Sequence, residues 1–371
     1  MKITRLETMY VKPRWVFLKI QTDEGIVGWG EPVVEGRSQT VATAIQEIGR
    51  YLIGQDPTRI EHHWQAIYRG QFYRGGPVLC SALSGIEQAL WDITGKYYGL
   101  PVYKLLGGAT RDKIYVYGWL HGSTQEEYVE SAKASVRAGF TALKTGIFDA
   151  VQIVDKPAVV DRGVERFAAL REAVGRSINI GIDFHGRVSP AMAIRAARAL
   201  EPYAPMFIEE PVLPENVDAL VTVARATSIP IATGERLFTK WGFREVLEKQ
   251  AAVILQPDLS HAGGILEVKK IAAMAECYYA AIAPHCPLGP IALASCIQLD
   301  ACIPNFLVQE HVTTGEGYLQ EPMKITDGYI EIPERPGLGI EIDEVAIQEK
   351  LYDGSWETPR LWHPDGSVAD W

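Results

Sequence analysis

The chain has 371 residues, 47% hydrophobic and 22% charged, with a formal net charge of -10. That composition is sufficient for packed cores and unlike a disordered chain, and the acidic balance argues against nucleic acid or anionic lipid as partner, since phosphates need a basic surface. The opening MKITRLETMYV lacks an apolar signal segment, no run approaches the roughly 18 apolar residues of a membrane span, and five cysteines without a CxxC pair fit a reducing compartment, so a cytoplasmic protein without a membrane partner is expected.

The first segments, KITRLETMYV, WVFLKIQT and IVGWGE, alternate as strands do and are separated by short turns, of which Asp23-Glu24-Gly25 is the clearest. They predict a three-stranded meander. From about Ser38 to Tyr98 the apolar residues recur at steps of three and four, with Val41, Ile45, Ile48 and Leu52, then Leu83, Ile86, Leu90 and Ile93, the spacing of one helix face. Residues 1–112 are therefore read as an α+β unit.

From Lys113 short apolar strands alternate with stretches long enough for helices, the pattern of repeated βα units. The strands are KIYVYGW, TALKT, INIGID, PMFIE, IPIAT, AVILQPD, AAIAP and NFLVQE. Eight is the count of a TIM barrel, whereas an open doubly wound sheet more often has five or six and a glycine-rich phosphate loop at its first crossover. The barrel is assigned to residues 113–316. Residues 317–371, rich in proline and glycine, are read as a tail returning over the N-terminal unit.

In such barrels the chemistry sits where the strands end. The third strand ends in Asp183, the fourth in Glu209, and Glu235 follows the fifth, at successive intervals of 26 residues. Three carboxylates on adjacent strands would repel one another and take up protons unless a cation lay among them. Oxygen ligands suit Mg²⁺ or Mn²⁺ better than zinc. The sixth strand leads to Asp258 and the seventh to His285, and a carboxylate beside an imidazole fixes its tautomer and raises its basicity, making His285 a candidate base. Glu310 ends the eighth strand and is expected to donate a hydrogen bond to the substrate's carboxylate if burial keeps it protonated.

Several blander readings stand beside these. Cys286 adjoins His285, but consecutive residues of an extended segment point apart, and the glycines of SHAGGI are read as a tight turn rather than a phosphate cradle. His62, His63, His121, His261, His311 and His363 lack ligand spacing. Arg74 and Arg236 are each candidates either for neutralising the site or substrate or for structural ion pairs.

Taken together, DFH at Asp183 to His185, FIEEP at Phe207 to Pro211, TGERLF at Thr233 to Phe238, LQPDLSHAGGI at Leu255 to Ile265 and APHCPLGPIALAS at Ala283 to Ser295 resemble the enolase superfamily, mandelate racemase subgroup. Within it the chain is most similar to the galactonate dehydratases, through PRW at Pro13 to Trp15, FYRGGP at Phe72 to Pro77 and the terminal SVADW. The resemblance spans nearly the whole chain and implies a modified TIM barrel of (β/α)7β type, an α/β fold, under an N-terminal α+β capping domain completed by the tail. It further implies a homo-oligomer that dehydrates a small acid sugar, galactonate or a close aldonate, to a 2-keto-3-deoxy acid.

By the same resemblance Asp183, Glu209 and Glu235 bind Mg²⁺, His285 oriented by Asp258 removes the C2 proton, Glu310 hydrogen-bonds the enediolate, and His185 protonates the departing 3-hydroxyl. Lys144 matches the first lysine of the subgroup's Lys-x-Lys motif and would contact the substrate carboxylate, while Gly146 stands where the second, a racemase's other base, would be. The loops around Arg14 and at residues 32–39 would close over the distal sugar carbons. A racemase or epimerase of the subgroup, and a carboxylate-binding barrel without turnover, are the alternatives.

Overall fold

The computed structural model describes residues 1–371. Alternating apolar residues in β1 (Ile3–Val11), β2 (Trp15–Thr22) and β3 (Val27–Gly30) form an antiparallel meander in the order β1-β2-β3. Three helices follow, α1 (Ser38–Leu52), α2 (Ile60–Arg69) and α3 (Pro77–Tyr98), then the short α4 (Val102–Leu105). The i, i+3, i+4 residues predicted from spacing do face inward: Val41, Ile45, Leu52, Ile86, Leu90 and Ile93 pack with Leu18 and Ile20 of β2 in one buried cluster.

The segment KIYVYGW splits in two. Its first part, β4 (Lys113–Tyr115), leaves the barrel, and its second, β5 (Gly118–Trp119), begins it. The chain then alternates through α5 (Gln125–Arg137), β6 (Ala142–Gly146), α6 (Pro157–Val174), β7 (Asn179–Asp183), α7 (Pro190–Leu200), β8 (Phe207–Glu209), α8 (Val217–Ala224), β9 (Ile231–Thr233), α9 (Thr239–Glu248), β10 (Ile254–Leu255), α10 (Ile265–Glu276), β11 (Ala281–Ile282) and α11 (Pro290–Cys302). The seven barrel strands run β11-β10-β9-β8-β7-β6-β5, and every pair is parallel.

The eighth strand is present only as a closing seam. Phe306 bridges Ile282 and Gln309 bridges Val116, both in parallel, with Leu307 N–H donating to Ile282 O at 2.8 Å and Gln309 N–H to Tyr115 O at 2.8 Å. No helix follows it before the tail, so the barrel is of (β/α)7β type. Its interior holds Tyr117, Ala142, Phe207, Ala232, Ile254, Ala283 and Val308, the small residues making room for the large ones, as barrel layers require. Gly181 belongs to the same arrangement, because a Cβ there would lie 2.5 Å from the Phe207 ring.

All thirteen residues of α11 are buried. A helix without a polar face must lie between layers, and this one lies between the barrel and the N-terminal unit, its Gln298 donating to Leu338 O at 3.0 Å and accepting from Tyr103 N–H at 2.9 Å. The tail first adds β12 (Ile325–Thr326) and β13 (Tyr329–Glu331) to β4 as an antiparallel sheet. After α12 (Glu344–Gln348) it returns to β1, where Leu351 bridges Val11 and Tyr352 N–H donates to Tyr10 O at 3.1 Å. It ends in a small hairpin, β14 (Leu361–Trp362) and β15 (Val368–Ala369). No helix is long and apolar enough to cross a membrane, and all five cysteines are free.

Candidate active site

Parallel register brings the strand ends level: Gly146 pairs with Asp183 and Asp183 with Glu209. Beyond β9 the chain places Glu235 beside them, and one carboxylate oxygen from each of Asp183, Glu209 and Glu235 lies within 4.8 Å of the others. Burial disfavours all three charges. Burial and the neighbouring Asp183 hold Glu209 well above the usual carboxylate range. Burial likewise pushes Glu235 up to about 7, against the opposing pull of His285. For Asp183 burial is outweighed by His185, Lys144 and the His185 N–H, so it falls to about 2. A trio that cannot hold its full charge alone, presenting only oxygen donors, fits a hard divalent cation.

Lys144 is the counterion the protein itself supplies. It is fully buried, 2.5 Å from Glu209 Oε1, 3.2 Å from Glu310 Oε1 and 3.3 Å from Asp183 Oδ2, with the Trp119 ring centroid 4.8 Å away. Burial would weaken its charge, but Glu209 and Glu310 reverse this and raise its pKa well above the ordinary value.

Two imidazoles flank the trio. His285 Nδ1 sits 2.9 Å from Asp258 Oδ2, and its Nε2 lies 3.4 Å from Glu235 Oε2. Burial works against the imidazolium, yet Glu235, Glu310 and Asp258 together hold it well above the usual histidine range. On the other side His185 Nε2 is 3.3 Å from Asp183 Oδ2. Here burial prevails over Asp183 and lowers the pKa. His185 also carries a left-handed backbone, φ 54°, held by its N–H donating to Asp183 Oδ1 at 2.8 Å and by Gly186 N–H donating to Glu210 O at 2.7 Å.

Glu310 requires a correction. Its oxygens accept from Trp119 Nε1 at 2.5 Å, Lys144 at 3.2 Å and Cys286 N–H at 2.8 Å. Burial opposes its charge, but Lys144, His285 and these donors outweigh burial and keep its pKa below the ordinary value. It is a carboxylate acceptor here, not the protonated donor expected from burial alone. Arg74 is solvent-exposed on the loop before α3 and lines a cavity of about 280 Å³ with Tyr51, Tyr68 and Leu79 among the N-terminal helices, without a polar contact to the carboxylates.

Arg14 reaches the rim, where Nε lies 2.5 Å from Glu35 Oε1 and Nη2 donates to Pro287 O at 3.3 Å, two residues past His285. Arg236 is an ion-pair residue, bonded to Glu210 at 2.5 and 3.1 Å. The SHAGGI glycines do form a turn, with φ 115° at Gly263 and 91° at Gly264. Cys286 is buried.

Several neighbours escaped prediction. Gln256 donates to Glu209 Oε2 at 2.6 Å, and Trp119 donates to Glu310; both lie at or near strand ends, so the rule that found the acids could have found them. His261 lies 3.8 Å from Asp258 and bonds Ser81 Oγ at 2.7 Å. Trp371 packs on His185 from the far end of the chain, which no local spacing could reveal.

Residues 4–107 match the mandelate racemase/muconate lactonizing enzyme N-terminal domain model, and residues 127–346 the enolase C-terminal domain-like model. The chain belongs to the mandelate racemase/muconate lactonizing enzyme family. It is 50% identical, over all of both chains, to D-galactonate dehydratases of Ralstonia nicotianae and of Pectobacterium atrosepticum. Among solved family structures, an enolase from Agrobacterium radiobacter with bound sodium and L-malate and an ordered active site matches at TM-score 0.94 and 32% identity, covering 100% of both chains. A mandelate racemase/muconate lactonizing enzyme-like protein from a Roseovarius species matches at TM-score 0.92 and 36% identity over 97% of this chain and 98% of its own.

Proposed function

We propose that this family member is an acid-sugar dehydratase acting on galactonate or a close aldonate and releasing a 2-keto-3-deoxy acid. The observation that carries this is the asymmetry of the two imidazoles flanking the carboxylate trio. His285 is tied through Nδ1 to Asp258, which orients its Nε2 toward the trio as the base, while His185 stands on the other side of the trio, beside Asp183, where it can serve as the acid. Full-length relatives that dehydrate D-galactonate support the same assignment.

Asp183, Glu209 and Glu235 would hold the metal, Mg²⁺ or Mn²⁺, which when bound supplies positive charge against the substrate carboxylate. Lys144 adds a fixed positive charge at the same place. His285 Nε2 takes the C2 proton, and the electrons of the C2–H bond move into the carboxylate to give an enediolate. Those electrons then form the C2–C3 double bond as the C3–O bond breaks, and His185 gives the leaving hydroxyl its proton to make water. The enol so formed tautomerises to the 2-keto acid. Gly146 leaves β6 without a second base beside Lys144, which favours elimination over racemisation. Arg14 and the rim loops would face the distal carbons, and we take the protein to be a cytoplasmic homo-oligomer.

The test is purified protein with Mg²⁺ and a panel of aldonic and uronic acids including D-galactonate, with 2-keto product read as its semicarbazone and C2 exchange read in D₂O. Dehydration of an aldonate, abolished by EDTA, is expected. C2 exchange without loss of hydroxyl would make the protein an epimerase; neither reaction on any acid would leave a binding barrel, and full activity in EDTA would remove the metal.

A further inference from the structure

The two histidines are held very differently. His285 has a carboxylate on Nδ1 that fixes both its ring plane and its tautomer. His185 has no comparable carboxylate on its Nδ1; its Nε2 lies 3.3 Å from Asp183 Oδ2. The ring also has an aromatic neighbour. Trp371 stands edge-to-face against His185, with centroids 5.5 Å apart and planes at 84°, an arrangement that aromatic quadrupoles favour. The Trp371 ring is itself held, because the Arg187 guanidinium lies 5.5 Å from its centroid and Arg187 Nη1 donates to Phe148 O at 2.7 Å. Ala369, two residues before it, is buried.

We infer that Trp371 is a positioning residue for His185, fixing by packing the ring that Asp258 fixes by hydrogen bonding in His285. The inference rests on the dehydratase assignment, in which His185 is the acid for the leaving hydroxyl. Its consequence is specific: loosening the ring costs the second step, protonation of the leaving group, and spares the first, proton removal by His285. A proton donor displaced by about 1 Å costs on the order of a hundredfold in rate.

The test compares wild type, Trp371→Phe and Trp371→Ala with Mg²⁺ and the aldonate that wild type dehydrates. Trp371→Ala is expected to lose between about tenfold and a hundredfold in dehydration kcat while C2 deuterium exchange stays within about twofold, and Trp371→Phe, which keeps an aromatic ring, to recover most of the loss. Equal loss of exchange and dehydration would overturn the inference, as would no loss in either. A substrate-independent measurement accompanies it, carbethoxylation by diethylpyrocarbonate read residue by residue by mass spectrometry. His185 should react several-fold faster in Trp371→Ala than in wild type or Trp371→Phe, with His285 unchanged. Equal His185 rates in all three proteins would remove the contact itself, whatever the substrate, so failure of this inference is separable from failure of the dehydratase assignment.

Discussion

Asp258 divides its two oxygens between two donors: Oδ1 accepts from Ser260 N–H at 2.7 Å and Oδ2 from His285 Nδ1 at 2.9 Å. An asparagine has one oxygen for these two demands. The backbone N–H cannot turn, so it would claim the oxygen and leave the amide N–H₂ facing His285, which selects the wrong tautomer for a base at Nε2. Asp258→Asn should therefore lower C2 exchange by about a hundredfold or more with little change in melting temperature. Exchange at the wild-type rate would show that His285 does not need this anchor. Two strand glycines make a matched pair at the same scale. A Cβ at Gly146 would meet only Asp183 O at 3.8 Å, whereas one at Gly181 would meet the Phe207 ring at 2.5 Å. Gly146→Ala should leave stability unchanged or raise it by up to about 1 kcal/mol, and Gly181→Ala should lower it by about 1 to 3 kcal/mol, both by urea unfolding. Equal effects would mean that Phe207 does not need the space it fills.

At the scale of elements, the N-terminal unit caps two barrel helices. Glu87 of α3 accepts from the N–H groups of Ile265 and Leu266 at 2.7 and 2.9 Å, at the start of α10. Glu31, just past β3, accepts from Gly289 and Ala292 N–H at 2.6 and 2.9 Å, at the start of α11. Such groups satisfy otherwise orphaned helix-end donors. Burial dominates over these bonds and pushes both carboxyls up to about 8. Between the ordinary carboxylate range and about pH 8 the folded protein then binds protons at these sites that the unfolded chain has released, so stability contributed there falls as pH rises through that window. Glu31→Gln with Glu87→Gln should flatten the decline of melting temperature from about pH 5 to pH 8, and parallel curves for variant and wild type would contradict it. These caps also mark where sequence stops informing. The carboxylates at Asp183, Glu209 and Glu235 were legible because an acid closing an apolar run has few structural excuses and the βα repeat sets the interval. Glu31 and Glu87 each serve a helix more than 170 residues away, and no periodicity encodes that distance. KIYVYGW read as one strand because alternation continues through it, although only its second half stays in the barrel. Glu310 was misjudged in charge because its donors come from Trp119, Lys144 and Cys286, on other segments.

For the molecule as a whole, the barrel mouth is a place where folding stability and the bound cation are linked through Lys144. Its ammonium is within 3.3 Å of three buried carboxylates, and it is the only lysine among the fully buried charges of the chain. Removing one partner from a buried ionic group leaves the others uncompensated, at a cost of about 3 to 5 kcal/mol. Lys144→Met should thus be less stable than wild type in EDTA by about that amount. A divalent cation that binds the folded state alone adds stability that grows with concentration, about 2.7 kcal/mol at a hundred times its dissociation constant. Because the variant's trio lacks its resident positive charge, it attracts the cation more strongly than the wild-type trio does. Mg²⁺ should accordingly raise the melting temperature of Lys144→Met more than that of wild type, and it should do nothing for a Lys144→Met protein that also carries Asp183→Asn, Glu209→Gln and Glu235→Gln. Should Lys144→Met prove as stable as wild type in EDTA, the carboxylates are compensated by shared protons rather than by Lys144. Should Mg²⁺ shift all three proteins alike, the cation binds somewhere other than the strand ends.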